Sequence, residues 1–246
     1  MGHSSSHHVI HHHRTVVTGP TPAEIAEKKR LDAEKVRLEE ERKKAKEASL
    51  REAIEKQIQQ VLDSLQKLSL SQAIPRADKE KHIGFFGPVS SGKTTFQTVL
   101  YGLSNPVALG HCTEGANVVS KNRERVIWDV HGEDQSFSYF APEELSFAKS
   151  LNVRVILFDS DIESITWILK IMHAINPTNL LIVRTKADQC GEDSSRSVAE
   201  EKARDGQKVK EVLGLAEPWP VYCISSHNVR DGKEKFDWDT LVTQLK

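Results

Sequence analysis

Residues 87–94 read Gly87-Pro88-Val89-Ser90-Ser91-Gly92-Lys93-Thr94, a match to the pattern G-x-x-x-x-G-K-[ST]. The stretch follows an apolar run, HIGFFG from His82, and opens an amphipathic one, GKTTFQTVLYGL. A strand that turns sharply into a helix is the context this pattern needs. Gly87 and Gly92 let successive backbone N–H groups curl round phosphate oxygens, with Ser90, Ser91 and Thr95 beside them, and the helix N-terminus adds partial positive charge. Lys93 then reaches the outer phosphates, and the Thr94 hydroxyl is placed to hold Mg2+.

Outward from this loop, apolar runs alternate with helical patterns. NVVS and RERVIWD are followed by VRVILFD, the helical DIESITWILKIMHAI and NLLIVRTK. A charged helix within SVAEEKARDGQKVKEVLGL, the strand VYCISS and a closing helix near FDWDTLVTQLK complete the series. Such alternation predicts a doubly wound, mainly parallel α/β sheet. NVVS and RERVIWD lie too close together for a crossover helix, so this pair is expected to be an antiparallel hairpin.

A phosphate loop does not name the base. Thr185-Lys186-Ala187-Asp188 closes an apolar strand, where the Asp188 carboxylate can accept from the two donors of guanine, N1 and N2, while the Lys186 stem lies along the ring. Adenine has no such donor pair on that edge, so the combination favours guanine. Ile127-Trp128-Asp129-Val130-His131-Gly132 ends a strand in D-x-x-G. Asp129 is expected to hold magnesium through a water, and the Gly132 N–H to sense the third phosphate. Thr113 precedes the NVVS strand and is expected to close over the metal, while Ser225 and Ser226 are expected to back the base.

On GPVSSGKTTF, IWDVHG and LLIVRTKADQ, with a helical segment before them, the chain resembles a Ras-type P-loop GTPase domain and, more narrowly, the immunity-related (interferon-inducible) GTPases. The resemblance covers roughly residues 50–246 by order and spacing of motifs. It implies a P-loop GTPase fold, a six-stranded, mainly parallel sheet with one antiparallel strand, here preceded by a long N-terminal helical segment. It also implies Mg2+-dependent hydrolysis of GTP to GDP, with self-association as a homodimer or oligomer through the G domain, often at membranes. His131 stands where that family usually has proline. The helical domain the family carries after the G domain has no counterpart before Lys246.

Ras-like enzymes orient the attacking water with a glutamine right after the D-x-x-G glycine, and Glu133 stands there in this chain. Glu133, His131 and Glu114 are the candidates for handling that water. A carboxylate beside a triphosphate suffers like-charge repulsion, so slow basal turnover is expected. A guanine-nucleotide-binding interaction module with little or no hydrolysis is the alternative. Two loops, 105–116 and 132–145, are expected to order with the third phosphate.

The remaining sequence sets boundaries. Residues 1–20 hold more than half of the 11 histidines without periodicity and are expected to be a disordered leader or tag remnant. Gly2 and Ser6 fit the acylation pattern M-G-x-x-x-[ST], a short pattern for which a chance match is favoured. Thr21-Pro22-Ala23-Glu24 fits a capping box, predicting a helical segment over 21–74 before a G domain over 79–246. Its first half alternates charges of both signs. From Leu50 through Ile54, Ile58, Val61, Leu62, Leu65 and Leu68 it carries an apolar stripe that must dock, on its own domain or, as the lesser expectation, in an intermolecular coiled coil. With 34 basic and 35 acidic residues, nothing in the overall charge favours nucleic acid. Cys112, Cys190 and Cys223 show no metal or disulfide spacing, which suits a reducing compartment. No apolar run approaches the roughly 20 residues that cross a bilayer, so a cytoplasmic protein, with peripheral membrane contact at most, is expected.

Overall fold

The computed structural model describes residues 22–67, 80–102, 116–121, 124–130, 142–190 and 196–245. Contacts in space divide it into two compact units, Met1–Glu52 and Ala53–Lys246. In the first unit the helix α1 (Pro22–Lys67) begins, with proline at its first position as the sequence predicts, where a missing N–H costs nothing. Its residues 28–50 are exposed throughout, and pairs such as Arg37–Glu41 sit one turn apart. Leu50, read from the sequence as the start of the docking stripe, is 52% exposed. Leu68, at the far end of that stripe, and the cap Thr21 lie outside the described residues.

In the second unit the rest of α1 does dock. Ile58 is buried, Ile54, Val61, Leu62 and Leu65 are half-buried, and Glu55 accepts a bond from Lys170. The sheet consists of β1 (Lys81–Phe86), β2 (Ala116–Lys121), β3 (Arg125–Val130), β4 (Val153–Phe158), β5 (Leu180–Arg184) and β6 (Val221–Cys223). Its spatial order is β2-β3-β1-β4-β5-β6. Every neighbouring pair is parallel except β2 with β3, the hairpin expected from the short spacing of NVVS and RERVIWD. β1 lies between β3 and β4; the chain leaves it through α2 toward the β2–β3 side and later crosses from β3 to β4 on its other side, so the crevice at the carboxyl end of β1 is the topological switch point.

Strand residues alternate between two cores. Phe86, Ile156, Phe158 and Ile182 face one, together with Ala148, Ile168, Leu169, Met172 and Val209 from the helices α3 (Pro142–Ser150), α4 (Thr166–Ile175) and α5 (Val198–Leu213). Ile83, Phe85, Val155, Leu157 and Val183 face the other, closed by Phe96 from α2 (Lys93–Tyr101) and by Trp238, Leu241 and Leu245 from α7 (Trp238–Leu245). Local signals agree with this arrangement. Ser197 and Glu200 form a reciprocal capping box at the start of α5, and Gly214 ends it at φ 65°. Helix α3 occupies the end of the loop expected over 132–145. Pro142 followed by two acidic residues is an ordinary helix start, and Leu145 and Ala148 are the buried apolar residues of that helix.

Candidate functional site

The loop between β1 and α2 takes the shape its glycines dictate. Gly87 has φ 142°, and a Cβ there would meet the Leu157 carbonyl oxygen at 2.1 Å, so no other residue fits between β1 and β4. Gly92 has φ 84° and Ser90, although not a glycine, φ 62°. Left-handed residues set among right-handed ones turn backbone N–H groups toward a common centre, a concavity suited to an anion. Lys93 arches back over the loop, its Nζ donating to the carbonyl oxygens of Gly87 (2.9 Å) and Pro88 (2.8 Å). Thr94 and Thr95 are half-buried in the first turn of α2, and Ser91 is fully buried.

The second motif meets the first directly. Thr185 Oγ1 donates to the Ser91 carbonyl oxygen at 2.8 Å and lies within reach of the Phe158 carbonyl oxygen at 3.2 Å, across 94 positions of sequence. A Cβ at Gly92 would approach the same hydroxyl at 3.4 Å, so the phosphate loop and the T-K-A-D turn rest against each other. Ala187 and Asp188 lie in a 3-10 turn, and the Ala187 N–H donates to the Ile224 carbonyl oxygen at 2.9 Å, joining the loops that follow β5 and β6. Asp188 Oδ1 is a buried carboxylate oxygen without a hydrogen-bond partner among the described residues. An acceptor withheld from water in this way suits a ligand that brings its own donors.

Three placements carry contacts that the sequence does not indicate. Lys186, at φ 54°, sends its ammonium to Asp159 at the end of β4. Ser225 caps the short helix α6 (Ser226–Arg230) by accepting from the Asn228 N–H, and Ser226 is the first residue of that helix, so the hydroxyl of Ser225 is already engaged. Asp129, 3% exposed at the end of β3 and in register with Phe85, accepts from the Gln97 amide at 3.1 Å. Thr113, Glu114, His131, Gly132 and Glu133 lie outside the described residues, as do most of both expected switch loops and Cys112.

Sequence reading missed the buried ion cluster behind the base turn. Arg184, immediately before Thr185, makes bonds of 2.5 and 3.0 Å to the two Asp205 oxygens, with Glu201 at 3.7 Å and the guanidinium 5.0 Å from the Phe158 ring centre. Burial works against its charge, but the bond and charge of Asp205 outweigh this and hold its pKa above the ordinary arginine range. A signal existed: an arginine ending the apolar strand LLIVR requires an acid partner, and Glu201 and Asp205 stand one turn apart on α5. Burial likewise raises the thiols of Cys190 and Cys223, the latter to about 12, so neither is an activated nucleophile.

The donor set fits the groups that the motifs imply. Thr94 and Asp129 offer the hard oxygen ligands magnesium prefers, and the glycine-lined concavity fits phosphate. The strand order, the single antiparallel pair and a phosphate loop at the switch point define a P-loop GTPase-type fold. No protein-family model matches the chain, and no curated protein matches it. Among solved structures, a probable GTP-binding protein engB is 14% identical with a TM-score of 0.46, the match covering 67% of this chain and 96% of that one. The translation elongation factor SelB of Methanococcus maripaludis, solved with the GTP analogue GPPNHP, is 17% identical with a TM-score of 0.44. That match covers 68% of this chain and 33% of the factor, so this chain corresponds to about a third of its length.

Proposed function

We propose that this chain binds guanine nucleotides with magnesium and hydrolyses GTP to GDP. The observation that supports it most is the Thr185 hydroxyl bonded to the Ser91 carbonyl, which makes one site of the anion-shaped loop and the turn bearing Asp188. In this reading the backbone from Gly87 to Gly92 holds the phosphates, and Lys93 exchanges its two loop carbonyls for outer phosphate oxygens. Asp188 accepts from guanine N1 and N2, and Thr94 and Asp129 hold the metal. The magnesium, when bound, neutralises charge on the outer phosphate oxygens. Glu133, His131 and Glu114 are the residues we assign to the water, and repulsion between Glu133 and the triphosphate makes unassisted turnover slow.

The finer reading, a switch related to the immunity-related GTPases that self-associates when GTP is bound, rests on the sequence motifs. Calorimetry tests the base: GDP should bind at least tenfold more tightly than ADP, and the reverse order would sink the guanine assignment. Phosphate release tests the chemistry. It should be slow in the wild type and absent in Lys93→Ala, whereas a wild type no faster than the variant would leave a binding module. Light scattering with a non-hydrolysable GTP analogue tests assembly, which should appear only with the triphosphate form.

A further inference from the structure

Helix α2 carries a fully buried amide that packing alone does not explain. Gln97 is 0% exposed, and its Nε2 donates to Asp129 Oδ1 at 3.1 Å. A carboxylate can only accept, so the amide nitrogen must face Asp129 and the amide oxygen must face away. That oxygen, Gln97 Oε1, is buried and has no hydrogen-bond partner among the described residues. An unsatisfied buried carbonyl is unfavourable, and a leucine or methionine on this face of α2, next to Phe96 in the core, would avoid it.

We infer that Gln97 is a positioning residue for magnesium, fixing the Asp129 carboxylate so that the metal is held between Asp129 and Thr94. The inference rests on the proposed nucleotide reading. The last torsion of an aspartate is broad, so its hydrogen-bond partners set the plane of the carboxylate. Thr94 and Gln97 are three apart on one helix and therefore share a face. Helix α2 thus supplies one metal ligand from its first turn and, from its second, the group that orients the other ligand.

The test uses the full chain and GDP carrying a fluorescent methylanthraniloyl group, with dissociation followed over a magnesium titration and in excess EDTA. Gln97→Met keeps the volume and removes the donor; Gln97→Asn keeps the amide but is one methylene too short. In both, the magnesium concentration that half-maximally slows release should rise about tenfold or more, while the rate in EDTA stays within about twofold of wild type. An unchanged magnesium midpoint in both variants overturns the inference, and so does a proportional acceleration in EDTA, which would mark general loosening. Loss of the cooperative unfolding transition in both would make Gln97 a folding residue instead. If the wild type itself retains no GDP in a magnesium-dependent way, the nucleotide reading falls, and this inference with it.

Discussion

Thr185 has two jobs. Its hydroxyl gives its one proton to the Ser91 carbonyl oxygen at 2.8 Å, and its backbone N–H donates to the Phe158 carbonyl oxygen at 2.8 Å, so one residue holds both the phosphate loop and the end of β4. Thr185→Val preserves the shape and removes the donor. It should lower stability by about 1–3 kcal/mol, seen as a lower urea midpoint, and weaken GDP binding through both motifs. A variant that loses stability but keeps wild-type affinity would separate the loop from the turn. Cys223 gives a pH signature. Burial, followed by the charge of Asp237, raises its thiol from the ordinary 9.0 to about 12, so the unfolded chain gives up this proton first. Its contribution is whole below pH 9 and is lost as pH rises from there to about 12, by at most about 1.4 kcal/mol per pH unit. The urea midpoint of wild type minus that of Cys223→Ala should therefore fall steadily between pH 8 and 10.5, and a difference that stays constant would refute the buried neutral thiol.

At the scale of elements, β5 and α5 are joined by the buried Arg184–Asp205 pair, and the T-K-A-D turn follows directly from their junction. Removing one partner leaves the other charged and dry, so Asp205→Ala should cost about 3–5 kcal/mol in denaturant unfolding. A cost under about 1 kcal/mol would mean that Glu201 takes over Arg184. The phosphate motif was legible because its eight residues are contiguous and their chemistry is local. The contacts that complete the site were not, since Gln97 finds Asp129 across 32 positions, Lys186 finds Asp159 across 27 and Arg184 finds Asp205 across 21. Side chains at such separations are brought together by strand order, which no single stretch encodes. Helix α3 was legible in its proline and acidic start and was hidden only by its setting between loops.

For the whole molecule, the boundary falls inside a helix. The compact unit holding the sheet starts at Ala53, and residues 28–50 are exposed. A chain beginning at Ala53 should therefore unfold at the same urea midpoint as the full chain. One beginning after Ile58 should be less stable by about 2–4 kcal/mol, because it loses a buried isoleucine and the Glu55–Lys170 pair. Equal midpoints for both truncations would show that the docked part of α1 contributes nothing. Among the described residues no helix is long and apolar enough to cross a membrane.

The amino-acid order alone determined the α/β alternation, the antiparallel hairpin and the two peptides to which we assign phosphate and base recognition. Each of these depends on interactions within a few residues, through period, turn chemistry and motif. Only the tertiary structure decided that Thr185 rests on Ser91, that Lys186 turns to Asp159 and that Gln97 faces Asp129. Those outcomes depend on which strand lies beside which, and parallel neighbours are set by the packing of two cores rather than by any local run of residues.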